Sequence, residues 1–341
     1  MRSKIAKISL AAIAVLGLSA SALKADTLSD VQKNGFVKCG VNTGLPGFSS
    51  ADASGHWSGI DVDVCRAVAA AVLGDASKVK YTPLTAKERF TALQSGEIDI
   101  LSRNTTWTQT RDSSLGLNFA GVNFYDGQAF MIHKSLGVKS ALDLNGAAVC
   151  VQAGTTTELN LASYFASHGM KYKSVSYDTT AQVRNGYESG RCDVMTSDSS
   201  QLHALQTTLK DPSGSIILPQ IISKEPLGPV VRQGDDVWFN IVKWSYNAMV
   251  AAEERGITSK NVDELKANTK DPAIKRILGT EGRLGENLHL KNDWAYNIIK
   301  QVGNYGESFE RNVGMGSPLK IERGLNAQWK DGGLQYSPPF K

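Results

Sequence analysis

Directly after the apolar run Ile98-Asp99-Ile100-Leu101, which reads as a strand, come Ser102-Arg103-Asn104-Thr105-Thr106-Trp107-Thr108-Gln109-Thr110-Arg111-Asp112. A strand that empties into hydroxyls, an amide and an arginine is suited to gripping a small carboxylate. Arg111 offers a planar fork that matches a carboxylate in two parallel bonds, and the threonines supply neutral donors and acceptors. A polar turn with a surface ion pair is the plainer alternative. The same grammar recurs downstream. Ser95-Gly96-Glu97-Ile98-Asp99-Ile100-Leu101-Ser102 is echoed by Ser189-Gly190-Arg191-Cys192-Asp193-Val194-Met195-Thr196, and the second strand opens onto Ser197-Asp198-Ser199-Ser200. Ligands of open α/β sheets collect beyond the carboxyl ends of the strands. Arg111 and Asp198 thus offer a guanidinium and a carboxylate at comparable places of two halves, the two groups needed to clamp a zwitterion. A third element is Gln152-Ala153-Gly154-Thr155-Thr156-Thr157-Glu158, after the strand-like Ala147 to Val151. A glycine turn into a helix start presents free amides and the positive dipole end, although the threonines could equally serve only as caps.

The elements that must position these groups alternate short apolar runs with helical stretches. That pattern implies an α/β class with largely parallel sheets, and a chain of 341 residues is long for one core, so two lobes are expected. Phe36 to Val41 reads as a strand, and Val62 to Leu73 as a helix stopped by Gly74. Thr85 and Glu88 have capping-box spacing ahead of a helix that carries Phe90 and Leu93. After about Pro229 the chain reads as mostly helical. Its aromatic residues, Trp238, Trp244 and Trp294 among them, suit core packing better than a ligand role. The Gly- and Pro-rich tail shows no chemistry.

Arg2, Lys4 and Lys7 precede the apolar run Leu10 to Leu18 and the small residues Ser19 to Ala22, the three-part pattern of a secretory leader. Cleavage is expected after Ala22 or Ala25. Arg2, Lys4, Lys7 and Lys24 account for the whole formal charge of +4, so the remainder is neutral and nucleic-acid binding loses its support. Four cysteines, Cys39, Cys65, Cys150 and Cys192, suggest two disulfides in an exported chain. Of three possible connectivities, Cys39–Cys65 and Cys150–Cys192 are expected, since each pair falls within one half. No zinc spacing, P-loop, G-x-G-x-x-G, G-x-S-x-G or H-E-x-x-H occurs, so neither metal nor cofactor is expected. The five histidines are scattered, with His133 and His203 the two that could approach a cleft.

The chain resembles the periplasmic solute-binding proteins of polar amino-acid ABC transporters, and within them the general L-amino acid-binding proteins. The resemblance rests on Cys39 to Phe48, Trp57 to Arg66, Asn104 to Asp112, Phe124 to Gln128 and Trp294 to Glu307. It implies a two-lobe type II fold with two hinge crossovers, near Gly127–Met131 and Glu225–Val231. Residues 26–128 plus 227–341 would form one lobe with a helical C-terminal extension, and 129–226 the other. Arg111 would hold the ligand α-carboxylate, helped by Thr106 and by amides near Thr155 and Thr156. Asp198 would take the α-ammonium, with the carbonyl of Asn104 as second acceptor. The implied partners are an L-amino acid and the membrane permease of an ABC transporter; the chain would be a monomer in the periplasm.

The sequence departs from narrowly specific relatives, which stack the ligand between two aromatics. Gly44-Leu45 and Ala86 stand at those places. A roomier pocket and broad specificity follow, with Trp57, Trp107 or Tyr125 as replacement walls. The alternatives are a periplasmic enzyme of the same fold, such as a cyclic-acid dehydratase using His203 or Glu158, a binder restricted to Glu, Gln, Asp and Asn, or a sensor module.

Overall fold

The computed structural model describes residues 26–341; the leader and its cleavage site lie outside them. Two five-stranded sheets form the framework. The first runs in the order Val79–Leu84, Val37–Asn42, Ile100–Leu101, Val230–Arg232, Leu117–Phe119. Its first three strands are parallel, while Val230–Arg232 is antiparallel to both of its neighbours. The second runs Lys173–Tyr177, Ala148–Gln152, Val194–Asp198, Gln128–His133, Ser215–Ile217, with the first three parallel and the last two reversing in turn. The α/β reading with two lobes is what the structure has. The expected strand at 98–101 is shorter, Ile100–Leu101, because the Asp99 carboxylate accepts from the Lys38 amide (2.9 Å) at the edge of the ladder.

Helices cover the sheets with their apolar faces. Ile60–Leu73 buries Val64, Ala67, Val68 and Ala71 in the core it shares with the first sheet and closes on Gly74, whose left-handed conformation (φ 72°) lets its N–H reach Ala70 O. Its start needs a glycine: a Cβ on Gly59 (φ 132°) would stand 2.0 Å from Phe48 O. Asp236–Glu254 and Trp294–Val302 pack on the same core. Trp238 and Trp294 are fully buried in that core, as their spacing predicts, and Trp238 Nε1 donates to Asp99 O. Among the described residues no helix is long and apolar enough to cross a membrane.

Two short strands, Phe124–Asp126 and Glu225–Leu227, join the halves and lie side by side, antiparallel. Glu225 stands opposite Asp126, Pro226 opposite Tyr125, and Leu227 opposite Phe124. The backbones are crowded at this crossing, where a Cβ on Gly228 would lie 1.9 Å from Gly121 O.

Both disulfides pair as expected. Cys39–Cys65 ties the first sheet to helix Ile60–Leu73, and Cys150–Cys192 ties the second sheet to the turn before Val194. They close loops of 26 and 42 residues, and the gain comes mainly from restricting the unfolded chain. Replacing Cys150 and Cys192 together by Ser is expected to cost about 2–5 kcal/mol in urea denaturation.

Candidate functional site

The two lobes meet where the carboxyl ends of both sheets face each other. Arg111 comes from the short helix Gln109–Ser114, which Thr108 caps by accepting from Arg111 N. Its guanidinium is buried, donates from Nη1 to Thr106 O (2.8 Å) and lies 5.1 Å from the Phe90 ring centre. Asp198 ends the strand Val194–Asp198 on the other lobe. It is 5% exposed, and its Oδ1 has no hydrogen-bond partner among the described residues. Burial pushes its carboxyl well above the usual range, Asp126 and Glu225 push it further, and Arg89 and Arg111 oppose the shift. Arg111 on one lobe and Asp198 on the other are thus both desolvated, and each acts on the charge of the other.

Asn104 adopts a left-handed backbone (φ 33°), uncommon for a residue with a Cβ and a mark of a constrained site. Its N–H donates to Asp61 Oδ2 (2.6 Å), its Oδ1 accepts from Asn42, and its Nδ2 reaches across to Gln201 Oε1 (3.1 Å). Its carbonyl carries no hydrogen bond among the described residues. Thr155 is the N-cap of helix Thr156–Ser167, accepting from Glu158 N, and its own proton goes to Gln152 O. Capping thus occupies its hydroxyl and the Glu158 amide, and leaves the Thr156 and Thr157 amides without a partner among the described residues. Thr156 Oγ1 lies 3.3 Å from Thr106 Oγ1, one residue from each lobe, and both hydroxyls donate to Glu225 Oε2 (2.9 and 2.6 Å). Lys87 and Asp178 form an exposed ion pair between the lobes at 2.6 Å. Beside Arg111, a cavity of about 470 Å³ opens between Phe90, Thr108 and Leu115 on one side and Gly154, Thr155 and Asn160 on the other.

Several groups here escaped the sequence reading. Glu225, 1% exposed, accepts from Thr106, Thr156, Asn160 and Ser223. Asp126 accepts from Gly127 N and from the Ser200 hydroxyl, and burial pushes it up to about 6. Arg89 and Arg103 are both buried. Among the described residues, Arg89 Nε and Arg103 Nη2 have no partner. Desolvation lowers both, Arg103 to about 10, and for Arg89 the nearby charges of Arg103 and Arg111 add to the effect. Arginine keeps its proton in proteins, so this unfavourable charge stands ready for an anion. Glu225 sits before a proline at the second crossover, and Arg89 follows a capping box; neither pattern by itself points to a site.

Among the expected walls, Tyr125 is half-buried in a crossover strand. Trp107 stacks on Phe119 at 5.4 Å within its own lobe and is 39% exposed. Trp57 lies against Tyr81 and the first-lobe core, and it is not joined to the network around Arg111. His133 stacks on Tyr187, and Glu158 is held by Gly154 N and Ser176. No cluster of three or more His, Cys, Asp or Glu fit for a metal occurs among the described residues.

Residues 37–277 match the bacterial extracellular solute-binding proteins, family 3. The chain is 62% identical to the general L-amino acid-binding periplasmic protein AapJ of Rhizobium johnstonii, with 100% of each chain covered. It is 53% identical to the glutamate/glutamine/aspartate/asparagine-binding protein BztA of Rhodobacter capsulatus, over 96% of this chain and 97% of that one. A solved ABC transporter periplasmic binding protein from Brucella ovis with glutathione bound superposes with a TM-score of 0.91 at 58% identity, covering 93% of this chain and 100% of that one.

Asp61, which receives Asn104 N and Asn123 Nδ2, is pushed up to about 6 by burial. An unfolded aspartate ionises near 3.9, so between these values the folded chain binds more protons than the unfolded one. This contribution to stability is fully present below about pH 4 and is lost as pH rises through 6. Asp61 alone should account for about 2–3 kcal/mol. Urea titrations of the ligand-free protein from pH 4 to 7 are expected to slope downward, and Asp61→Asn to flatten that slope.

Proposed function

Because the chain belongs to family 3 of the bacterial extracellular solute-binding proteins, we propose that it captures free L-amino acids between its lobes and presents them to the permease of an ABC transporter. The relatives are transport binding proteins, and the dehydratase reading is not favoured. The carrying observation is that Arg111 on one lobe and Asp198 on the other are both buried, with Asp198 Oδ1 unpartnered among the described residues. In this reading Arg111 forks the α-carboxylate, with Thr106 and the amides at Thr155 and Thr156 beside it. Asp198 and the Asn104 carbonyl receive the ammonium. The lobes are residues 26–128 with 227–341, and 129–226. A ligand bound to both favours the closed arrangement over the open one by its differential affinity, and no chemical step is needed. One chain supplies both ends of the clamp, so a monomer suffices. The leader, cleaved after Ala22 or Ala25, delivers the protein to the periplasm.

Specificity is broad in this reading, since the α-amino-acid groups supply most contacts and no aromatic sandwich selects the side chain. Arg89 and Arg103 favour a second, narrower reading: two further buried guanidiniums would prefer ligands with a carboxylate or carboxamide side chain. Calorimetric titration of the mature protein against the twenty amino acids separates them. Binding confined to Glu, Gln, Asp and Asn would establish the narrower reading, and binding of none would sink both.

Arg111→Ala is expected to lose about 2–5 kcal/mol of binding energy for every amino acid that binds. The raised Asp198 carboxyl sets the pH dependence. The ammonium needs an ionised partner and in turn lowers its pKa, so binding releases a proton wherever Asp198 is protonated in the free protein. Affinity should therefore fall as pH falls, already above the usual carboxylate range, and Asp198→Asn should remove this dependence along with most of the affinity.

A further inference from the structure

Residues 278–341 lie beyond the family match. The structure places part of them against the hinge. Tyr125 stands in the middle of one crossover strand, opposite Pro226, which has no N–H to offer. The polar groups of Tyr125 go to the other edge, where one side-chain amide takes both. Tyr125 N donates to Asn326 Oδ1 (2.7 Å), and Asn326 Nδ2 donates to Tyr125 O (3.0 Å). Asn326 is 4% exposed.

On the far edge of the ribbon, Trp107 N donates to Pro226 O (2.8 Å) and Gly228 N to Thr105 O (3.0 Å). Backbone pairing therefore runs through adjoining layers: the segment Thr105–Trp107 that precedes Arg111, the crossover Glu225–Leu227, the crossover Phe124–Asp126, and Asn326. Asn326 acts as a one-residue edge strand.

Its support is built equally firmly. Arg323 forks Glu253 of helix Asp236–Glu254 at 2.8 and 3.1 Å and donates to Asn326 O (3.1 and 2.9 Å). Gln328 Nε2 donates to the same Glu253 (2.9 Å). Next to Tyr125, Tyr305 donates to Asn123 O (3.0 Å), while Tyr246 and Gln335 donate to Val122 O (2.8 and 3.1 Å).

We propose that Asn326 is a positioning residue, and that the C-terminal segment carrying it is a brace for the hinge. Hinge closure concentrates backbone rotation in a few residues. With both polar groups of Tyr125 held, rotation is confined to Asp126, Gly127 and the segment before Glu225. The brace thereby narrows the range of open arrangements and sets the ligand-free balance between open and closed. Through that balance it sets affinity, since the closed fraction scales apparent binding. This last step rests on the ligand-binding reading of the cleft; the effect on the hinge does not.

The test uses the mature chain with one spin label on each lobe, at Lys33→Cys and Ser163→Cys, and pulsed distance measurements without ligand and with saturating L-glutamate. In Asn326→Ala the ligand-free distribution should broaden and shift to longer distances, while the saturated distribution stays that of the parent. Affinity for L-glutamate should fall about fivefold or more. Gln335→Ala, which removes the bonds of its amide to Val122 O and to the Tyr246 hydroxyl and leaves Asn326 in place, should shift the ligand-free distribution in the same direction by less, and it decides the matter if Asn326→Ala does not fold. Ligand-free distributions identical to the parent in the folded variants would overturn the brace. A parent that binds no amino acid, combined with shifted ligand-free distributions, would overturn the binding reading and leave the brace standing.

Discussion

Charge held out of water without complete pairing is the constraint around which the lobe boundary is organised. Arg89, Arg103 and Arg111 lie close enough to Asp61, Asp126, Asp198 and Glu225 for their charges to act on one another. Such groups are costly in a low-dielectric interior unless each finds a partner. Here several polar atoms do not: Arg89 Nε, Arg103 Nη2 and Asp198 Oδ1 are buried and unbonded among the described residues. Hydroxyls, amides and backbone groups satisfy the rest, which explains the density of Thr, Asn and Ser in this region. A zwitterion brings one charge of each sign to a place that already holds both in excess.

Much of this was legible in the sequence because it follows from local pattern. The strand ending in polar residues located Arg111, and the echo of that pattern located Asp198. The helix Ile60–Leu73 and the two disulfides followed from periodicity and from cysteine placement within each half. What stayed hidden depends on distant segments converging. Glu225 has no local signal, yet it gathers donors from residues 106, 156, 160 and 223. Arg89 is hidden for a different reason: its meaning comes from Arg103 and Arg111 beside it. Asn326 lies in a stretch without periodicity, and its role appears only when its amide meets Tyr125.

The hydroxyls of Thr106 and Thr156 show how one residue can serve structure and site together. Both donate to Glu225, so the two lobes are joined through a carboxylate that belongs to a crossover strand. Opposite Glu225 in the ribbon stands Asp126, and like charges directly across a strand pair oppose each other. The donors gathered on Glu225, and Ser200 and Gly127 on Asp126, offset that repulsion. The ribbon therefore joins the lobes mechanically and electrostatically at the same place.

The strand order of the first sheet carries a consequence for how the chain folds. Val230–Arg232 lies between Ile100–Leu101 and Leu117–Phe119, although the whole second sheet separates it from them in sequence. The second lobe is one continuous stretch and can assemble by itself, whereas the first cannot complete its sheet until residues on both sides of that stretch are brought together. Folding the intervening lobe first shortens the effective loop to be closed and lowers its entropic cost. The half bearing Asp198 can thus be built before the half bearing Arg111 is sealed. The buried carboxylate of Asp198 would be in place first, and the guanidinium of Arg111 would join it.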